Sequence, residues 1–187
     1  MAVYAVLLHG EAMQSENDVA IWASRFYSRE GNDKWSCARA KAVAGRVRQE
    51  FSVSRSEVDI PDKKFARIKS DSKTESRGVF RVTKSRLFST PKTVCWLHQS
   101  KSLCTLICEE HANVLLAANQ LGMLAYSIST HFGASALQDP KIINSRPEEF
   151  HMLLDRMMPS GHLQYLTQAD ANKELAMLAS VLQKSKS

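Results

Sequence analysis

The chain has no run of about eighteen apolar residues, the length a membrane-crossing helix requires, so no span is expected. Its opening MAVYAVLLHG is apolar, yet it carries no basic flank and is cut short by His9 and Glu11, so it does not read as a signal peptide. Glycine is scarce, at 7 of 187 residues, and no glycine-rich phosphate loop or nucleophile elbow is present. Paired carboxylates in a cleft-like setting are also missing, and together these absences argue against an enzyme. Cysteine is limited to Cys37, Cys95, Cys104 and Cys108, without a CxxC pair, which points to reduced thiols in the cytosol rather than a disulfide framework. No internal repeat is visible.

What is present suits one domain. An apolar content of 44% over 187 residues can bury a real core. The net charge of +6 is unevenly placed: residues 39–86 hold fourteen Lys or Arg against six Asp or Glu, an excess of +8 that leaves −2 for the rest. Such a stretch suits an acidic partner, an anionic membrane, nucleic acid or simply solvent.

Val3 to Leu8 reads as a buried strand closed by Gly10 and the polar run Glu11 to Asp18, and Val19 to Tyr27 as a second strand. In SCARAKAVAGRVRQEF the period changes. Ala40, Val43, Ala44, Val47 and Phe51 line one side of a helix with Ser36 as N-cap, leaving Arg39, Lys41, Arg46 and Arg48 on the other sides. Ser52 to Ser76 is Ser, Lys, Asp and Arg with isolated hydrophobes, a composition that buries too little to offset ordering, so a flexible basic insert is expected there. GVFRVT resumes as strand. Thr93 to His98 and Leu103 to Glu109 follow as a hairpin turned at QSKS.

Val114, Ala118, Leu121, Ala125, Ile128 and Phe132 then define one face of a long helix over 113–132, with Gly133 placed for a left-handed C-cap. A third helix over 147–158 has Ser145 and Glu148 at capping-box spacing and a stripe of Phe150, Leu153, Leu154, Met157 and Met158. After the extended HLQYL, a last helix is capped by Thr167 with Asp170 and packs through Ala171, Leu175, Leu178 and Leu182.

The segment TVCWLHQSKSLCTLICEEH gathers three cysteines and two histidines, which raises a metal centre or a cysteine nucleophile. Zinc ligand atoms must converge to within about 4 Å of one another. On strands, Cys95 and His98 are an odd number apart and point to opposite faces, while Cys104 and Cys108 share a face but stand about 13 Å apart. Apolar neighbours raise a thiol pKa, so these cysteines read as small buried hydrophobes, with no metal, cofactor or catalytic residue implied. His111 reads as a cap or surface residue. Both faces of the hairpin are apolar, so helices should cover the sheet on both sides.

The order of two strands, a helix, three strands and three helices resembles the longin-like small subunits of vesicle-coat adaptors. EEHANVLLAANQLGMLAYSISTHFG is similar to the strand-to-long-helix segment of adaptor sigma subunits, and FHMLLDRMMPSGHLQYLT to their next helix and its glycine-containing exit. RGVFRV, PKTVCWL, HANVLLA and LLDRMMPSGHLQYL resemble the corresponding runs in the sigma subunits of the fifth adaptor-protein complex. The similarity is strongest over residues 77–166, lower in the last helix and weak over 11–76. These are packing and turn motifs, specific through joint occurrence and order.

The resemblance implies an α/β (α+β) longin-like fold, a five-stranded mainly antiparallel sheet with helices on both faces, in a single domain over 1–187. It implies a non-enzymatic, cytoplasmic sigma subunit of a heterotetramer with zeta, beta and mu chains. That complex is peripheral on late endosomes and lysosomes, independent of clathrin and associated with spatacsin and spastizin. Contact with a partner or an anionic membrane is assigned to Arg39, Lys41, Arg46, Arg48, Lys63, Lys64 and Arg67.

One departure is Trp22, which stands where sigma subunits that read acidic dileucine signals carry a cation. The other is the length of the insert. Two further functions stay open on the residues: a free-standing longin-like regulator of a small GTPase or SNARE, which fold alone cannot separate, and a nucleic-acid module. Nucleic acid is not expected, because Phe51, Phe65 and Phe80 are too sparse for a stacking platform.

Overall fold

The computed structural model describes residues 3–15, 18–27, 34–58 and 76–184. Five strands, β1 (Val3–Ser15), β2 (Asp18–Phe26), β3 (Ser76–Val82), β4 (Lys92–Gln99) and β5 (Ser102–Glu109), form one sheet in the order β2-β1-β5-β4-β3, with every neighbouring pair antiparallel. Between β2 and β3, which are the two edges, runs α1 (Ser36–Val58). After β5 come α2 (Val114–Phe132), α3 (Pro140–Asn144), α4 (Pro147–Met157), a 3₁₀ turn at Pro159–Gly161, and α5 (Gln168–Lys184).

Strand alternation divides the core into two layers. On β4 and β5, Cys95, Leu97, Cys104, Leu106 and Cys108 join the side chains of α2, α4 and α5, while Val94, Trp96, Leu103 and Ile107 join those of α1. On β1, Val6 and Leu8 face the first layer and Tyr4, Ala5 and Leu7 the second; the register shift between Val3 and Ala5 explains why two successive residues share a face. Helices thus cover both faces of the sheet, as its two-sided apolar pattern requires.

Several boundaries differ from the sequence reading. Main-chain pairing of Met13 with Val19 and of Ser15 with Asp18 carries β1 beyond Gly10, so most of the polar run lies in a hairpin arm instead of a loop. The carbonyl of Trp35 accepts the N–H of Arg39 at 2.9 Å, so Ser36 is the first helical residue and not the cap. Helix α1 continues through Ser52 to Val58, and there the Ser52 and Ser54 hydroxyls fold back onto the helix and donate to the carbonyls of Gln49 and Glu50 at 2.8 and 2.9 Å. The rest of the expected insert, 59–75, lies outside the described residues.

Helix α2 is capped by Asn113, whose side chain accepts the Leu116 N–H at 3.1 Å. Gly133 takes a positive φ of 97° but a ψ of 157°, an extended exit that is not the left-handed cap. The buried band of α2 includes Ala117, Gln120, Leu124 and Ser127 beside the expected Leu121, Ala125, Ile128 and Phe132, whereas Val114 is 38% exposed. The reason is that sheet and helices grip α2 from two sides. Ser145 does not cap α4; it closes the unforeseen α3 and donates to the Ile142 carbonyl. The box at α5 forms as expected, with Thr167 N–H bonded to Asp170 at 2.9 Å and Asp170 N–H to the Thr167 hydroxyl at 3.2 Å. The Thr167 hydroxyl, which donates to the Asp170 carboxylate at 2.6 Å, and then the Thr167 N–H hold that carboxyl below its ordinary pKa.

On edge strand β3, Gly78 pairs with Trp96 and lies beneath its indole. A Cβ there would stand 2.6 Å from two ring atoms, so the ring would have to move against Phe51, which it meets edge-on at a 6.1 Å centroid distance. Gly78→Ala is expected to cost about 1 to 2 kcal/mol through overpacking, measured by denaturant unfolding with a shift in tryptophan emission. An unchanged midpoint and spectrum would contradict this seat for the ring.

Candidate interaction surface

The basic residues of α1 do not form one outward face. Arg39 is 5% exposed and its Nε donates to the carbonyl of Leu87, fastening the loop after β3 to the helix. Arg48 is also buried. Arg46 lies 4.5 Å over the Phe80 ring and 3.8 Å from Glu50, and Lys41 is exposed. The reading of four outward cations is therefore corrected to two, Lys41 and Arg46, because the guanidinium stems of the others lie against the sheet layer. Lys63, Lys64 and Arg67 lie outside the described residues.

The thiols fall as strand geometry dictates. Cys95 faces the α2 layer, while His98, three residues on, stacks on Phe51 of α1 at 4.3 Å, so the two point through opposite sides of the sheet. Burial pushes the Cys95 thiol up to about 11 and Cys104 to about 12, and raises Cys108 further. Such thiols stay protonated and unreactive at neutral pH. Among the described residues, no three His, Cys, Asp or Glu side chains gather as a metal-binding group, and no helix is long and apolar enough to cross a membrane.

A histidine is also fully enclosed. His9 on β1 meets the Thr105 hydroxyl at 3.1 Å, and burial, with the nearby Arg48 charge acting in the same direction, lowers its pKa to about 4. Because the folded value lies below the unfolded one, the unfolded chain binds the proton more tightly. Stability contributed by neutral His9 is thus full above about pH 6.5 and is lost as pH falls toward 4. Unfolding free energy should drop by about 2 kcal/mol between neutral pH and pH 5, and His9→Gln should flatten that slope. Equal slopes for both proteins in denaturant titrations would contradict this assignment.

At the β2 edge, Arg25 reaches α4, bonding Asp155 at 2.5 Å and the His151 carbonyl at 3.2 Å, and lies 5.3 Å over the Tyr27 ring. Burial lowers the His151 pKa and raises that of Tyr27 to about 12. Trp22 is partly buried against the α2-side core. The cation nearest Trp22 on this strand is thus already engaged.

The sequence reading missed the opposite edge. On β3, Phe80 points into the α1 layer, so the alternate residues Arg77, Val79 and Arg81 face the other way, and all three are exposed. Leu115 at the start of α2 is 82% exposed. A cavity of about 200 Å³ opens here between Arg77, Val79 and Leu97 of the sheet and Ala118, Leu121 and Gly122 of α2. The signal lay in RGVFRV, where period-2 alternation puts Arg, Val and Arg on one face.

The geometry is that of a sheet with two occupied helix layers and an edge strand, β3, that pairs with no described strand on its outer side. The sequence profile of the AP-5 complex subunit sigma-1 family matches residues 2–176. The chain belongs to that family. It is thereby a small subunit of the adaptor-complex type, and the fold agrees. Among solved structures, a chain described as "Homology model of the full-length AP-3 complex in a stretched open conformation" is similar with a TM-score of 0.58 at 11% identity, covering 98% of this chain and 95% of that one. No curated protein sequence matches. The AP-5 sigma-1 match spans β1 through the middle of α5, so it takes in both core layers and the β3 edge.

Proposed function

We propose that this chain is the sigma subunit of a heterotetramer with zeta, beta and mu chains, acting without clathrin in protein transport from late endosomes and lysosomes, and associating with spatacsin and spastizin. The observation that carries the reading is the family match over residues 2–176. The mechanism is burial: a fold whose two faces are already filled contributes its edges and exposed helix surfaces to larger chains, and obligate interfaces of this type exceed about 2,000 Å². The exposed Leu115 and Tyr165, at 82% and 73%, supply apolar surface for such contacts.

Reading of acidic dileucine signals through β2 is disfavoured, since Trp22 stands partly buried where such sigma subunits carry a cation and Arg25 is engaged by Asp155. Lys41 and Arg46 on α1, with Lys63, Lys64 and Arg67, remain the proposed contact for an acidic partner surface or anionic lipid. A free-standing regulator of a small GTPase or SNARE fits the fold equally but not the family.

The test is tagged expression in cells depleted of clathrin. The chain should still localise to late endosomes and lysosomes and still capture spatacsin and spastizin. Dispersal from those membranes on clathrin loss, or nucleotide-dependent capture of a GTPase in place of these proteins, would overturn the proposal.

A further inference from the structure

The exposed face of β3 has a pattern that the adaptor reading does not use. β3 is an edge strand: it pairs with β4 on one side, and no described strand pairs with the other. Its free edge presents main-chain N–H and C=O groups to any extended chain that can align with them. Arg77, Val79 and Arg81 stand at successive alternate positions of one face, so a cation, an apolar side chain and a second cation repeat at about 6.6 Å. Neither guanidinium has an ion-pair partner among the described residues.

We propose that β3 receives an extended segment of a partner protein as a sixth strand, with acidic side chains opposite Arg77 and Arg81 and an apolar side chain between them at Val79. Cross-strand neighbours lie about 4.5 to 5.5 Å apart, so carboxylate, apolar and carboxylate groups at every second residue of the incoming strand meet their complements in register. The apolar side chain has somewhere to go. Beyond Val79 the cavity runs toward Ala118 and Gly122 of α2, and a Cβ built on Gly122 would meet nothing within 4 Å. Main-chain pairing supplies affinity and the alternating side chains supply specificity.

Other occupants fit less well. A second copy of this chain paired through β3 would oppose guanidinium to guanidinium, and like charges directly opposite are destabilising. A docked helix would leave the edge N–H and C=O groups unpaired. A lipid surface would match the arginines but neither the strand edge nor the recess beside Val79.

The assay uses the full-length chain and a labelled peptide matched in length to β3, with Glu, Val and Glu at alternate positions and Thr between them. A control peptide has the same composition with its two glutamates adjacent. The alternating peptide should bind about tenfold more tightly than the control by fluorescence anisotropy, and amide-exchange protection should rise in β3. Arg77→Glu with Arg81→Glu should weaken it about tenfold and favour the Lys-Val-Lys counterpart, while the thermal melt stays unchanged because both side chains are exposed. Equal binding of the two peptides, or indifference to the double reversal, would overturn the proposal. So would arginine-dependent capture on phosphatidylserine vesicles without peptide binding, or self-association that the double reversal abolishes. The inference stands apart from assembly into an adaptor, so its failure would leave that reading intact.

Discussion

Gln120→Leu is expected to lower the unfolding free energy by about 2 to 3 kcal/mol, although leucine fills nearly the same space. Gln120 is completely buried in the middle of α2. Its amide donates to the Met157 carbonyl at 2.9 Å, and its oxygen accepts the Gln164 N–H at 3.1 Å. One side chain thus satisfies the end of α4 and the extended segment beyond it. The neighbouring Asn119 does the same for both main-chain groups of Leu166, at 3.1 and 3.2 Å. Residues 162–167 belong to no helix or strand, so these adjacent amides replace the ladder that their backbone lacks. With leucine, the buried Met157 carbonyl loses its partner at about 1 to 3 kcal/mol, and the half-buried Gln164 N–H loses its own at a smaller cost because water can reach it. Denaturant unfolding measures the total, and amide exchange should show faster opening of 162–167. A loss under about 1 kcal/mol would mean that water or a rearranged segment takes over the amide's role.

Gly161→Ala is expected to cost about 3 kcal/mol, from two sources that act together. The residue has φ of +73°, a conformation that penalises a Cβ by about 1 to 2 kcal/mol. The added carbon would also stand 2.9 Å from Cβ and Cγ of Tyr27 and 3.0 Å from the Val3 carbonyl. Those atoms belong to β1 and to the residue just after β2, where Tyr27 N–H bonds the Tyr4 carbonyl, so they cannot swing aside. The turn after α4 therefore packs onto the sheet only through glycine. Thermal unfolding of Gly161→Ala beside Gly133→Ala separates the causes: Gly133 also has a positive φ, of 97°, but its Cβ would meet nothing within 4 Å. A smaller loss at Gly133 is expected, and equal losses would assign the whole effect to backbone strain.

How much of this was legible in the sequence follows from the range of the interactions. The two-sided apolar pattern of β4 and β5 announced helices on both faces, because burial is written locally in each side chain. The Thr167 and Asp170 box was readable for the same reason, its partners being three residues apart. Ser36 and Ser145 had the right composition for caps but not the right position, since the first helical bond at α1 comes from Trp35 and a short helix at Pro140–Asn144 claims Ser145. The arginines of α1 illustrate the deeper limit. Periodicity put Arg39 and Arg48 away from the apolar stripe, yet the loop bearing Leu87 folds over that side and takes the Arg39 guanidinium. Nothing local encodes an interaction across 48 residues. The long-range amide bonds of Asn119 and Gln120, and the exposure of the β3 face, likewise depend on where distant segments come to rest.

The central claim is that this chain works as one permanent member of a larger assembly. Native mass measurement of the particle recovered through a tag on this chain, at endogenous expression, tests it most directly. The account predicts a single species holding one copy of this chain with two large chains and one medium chain, stable to dilution. Recovery of the chain as a monomer, with no stoichiometric companion, would contradict it.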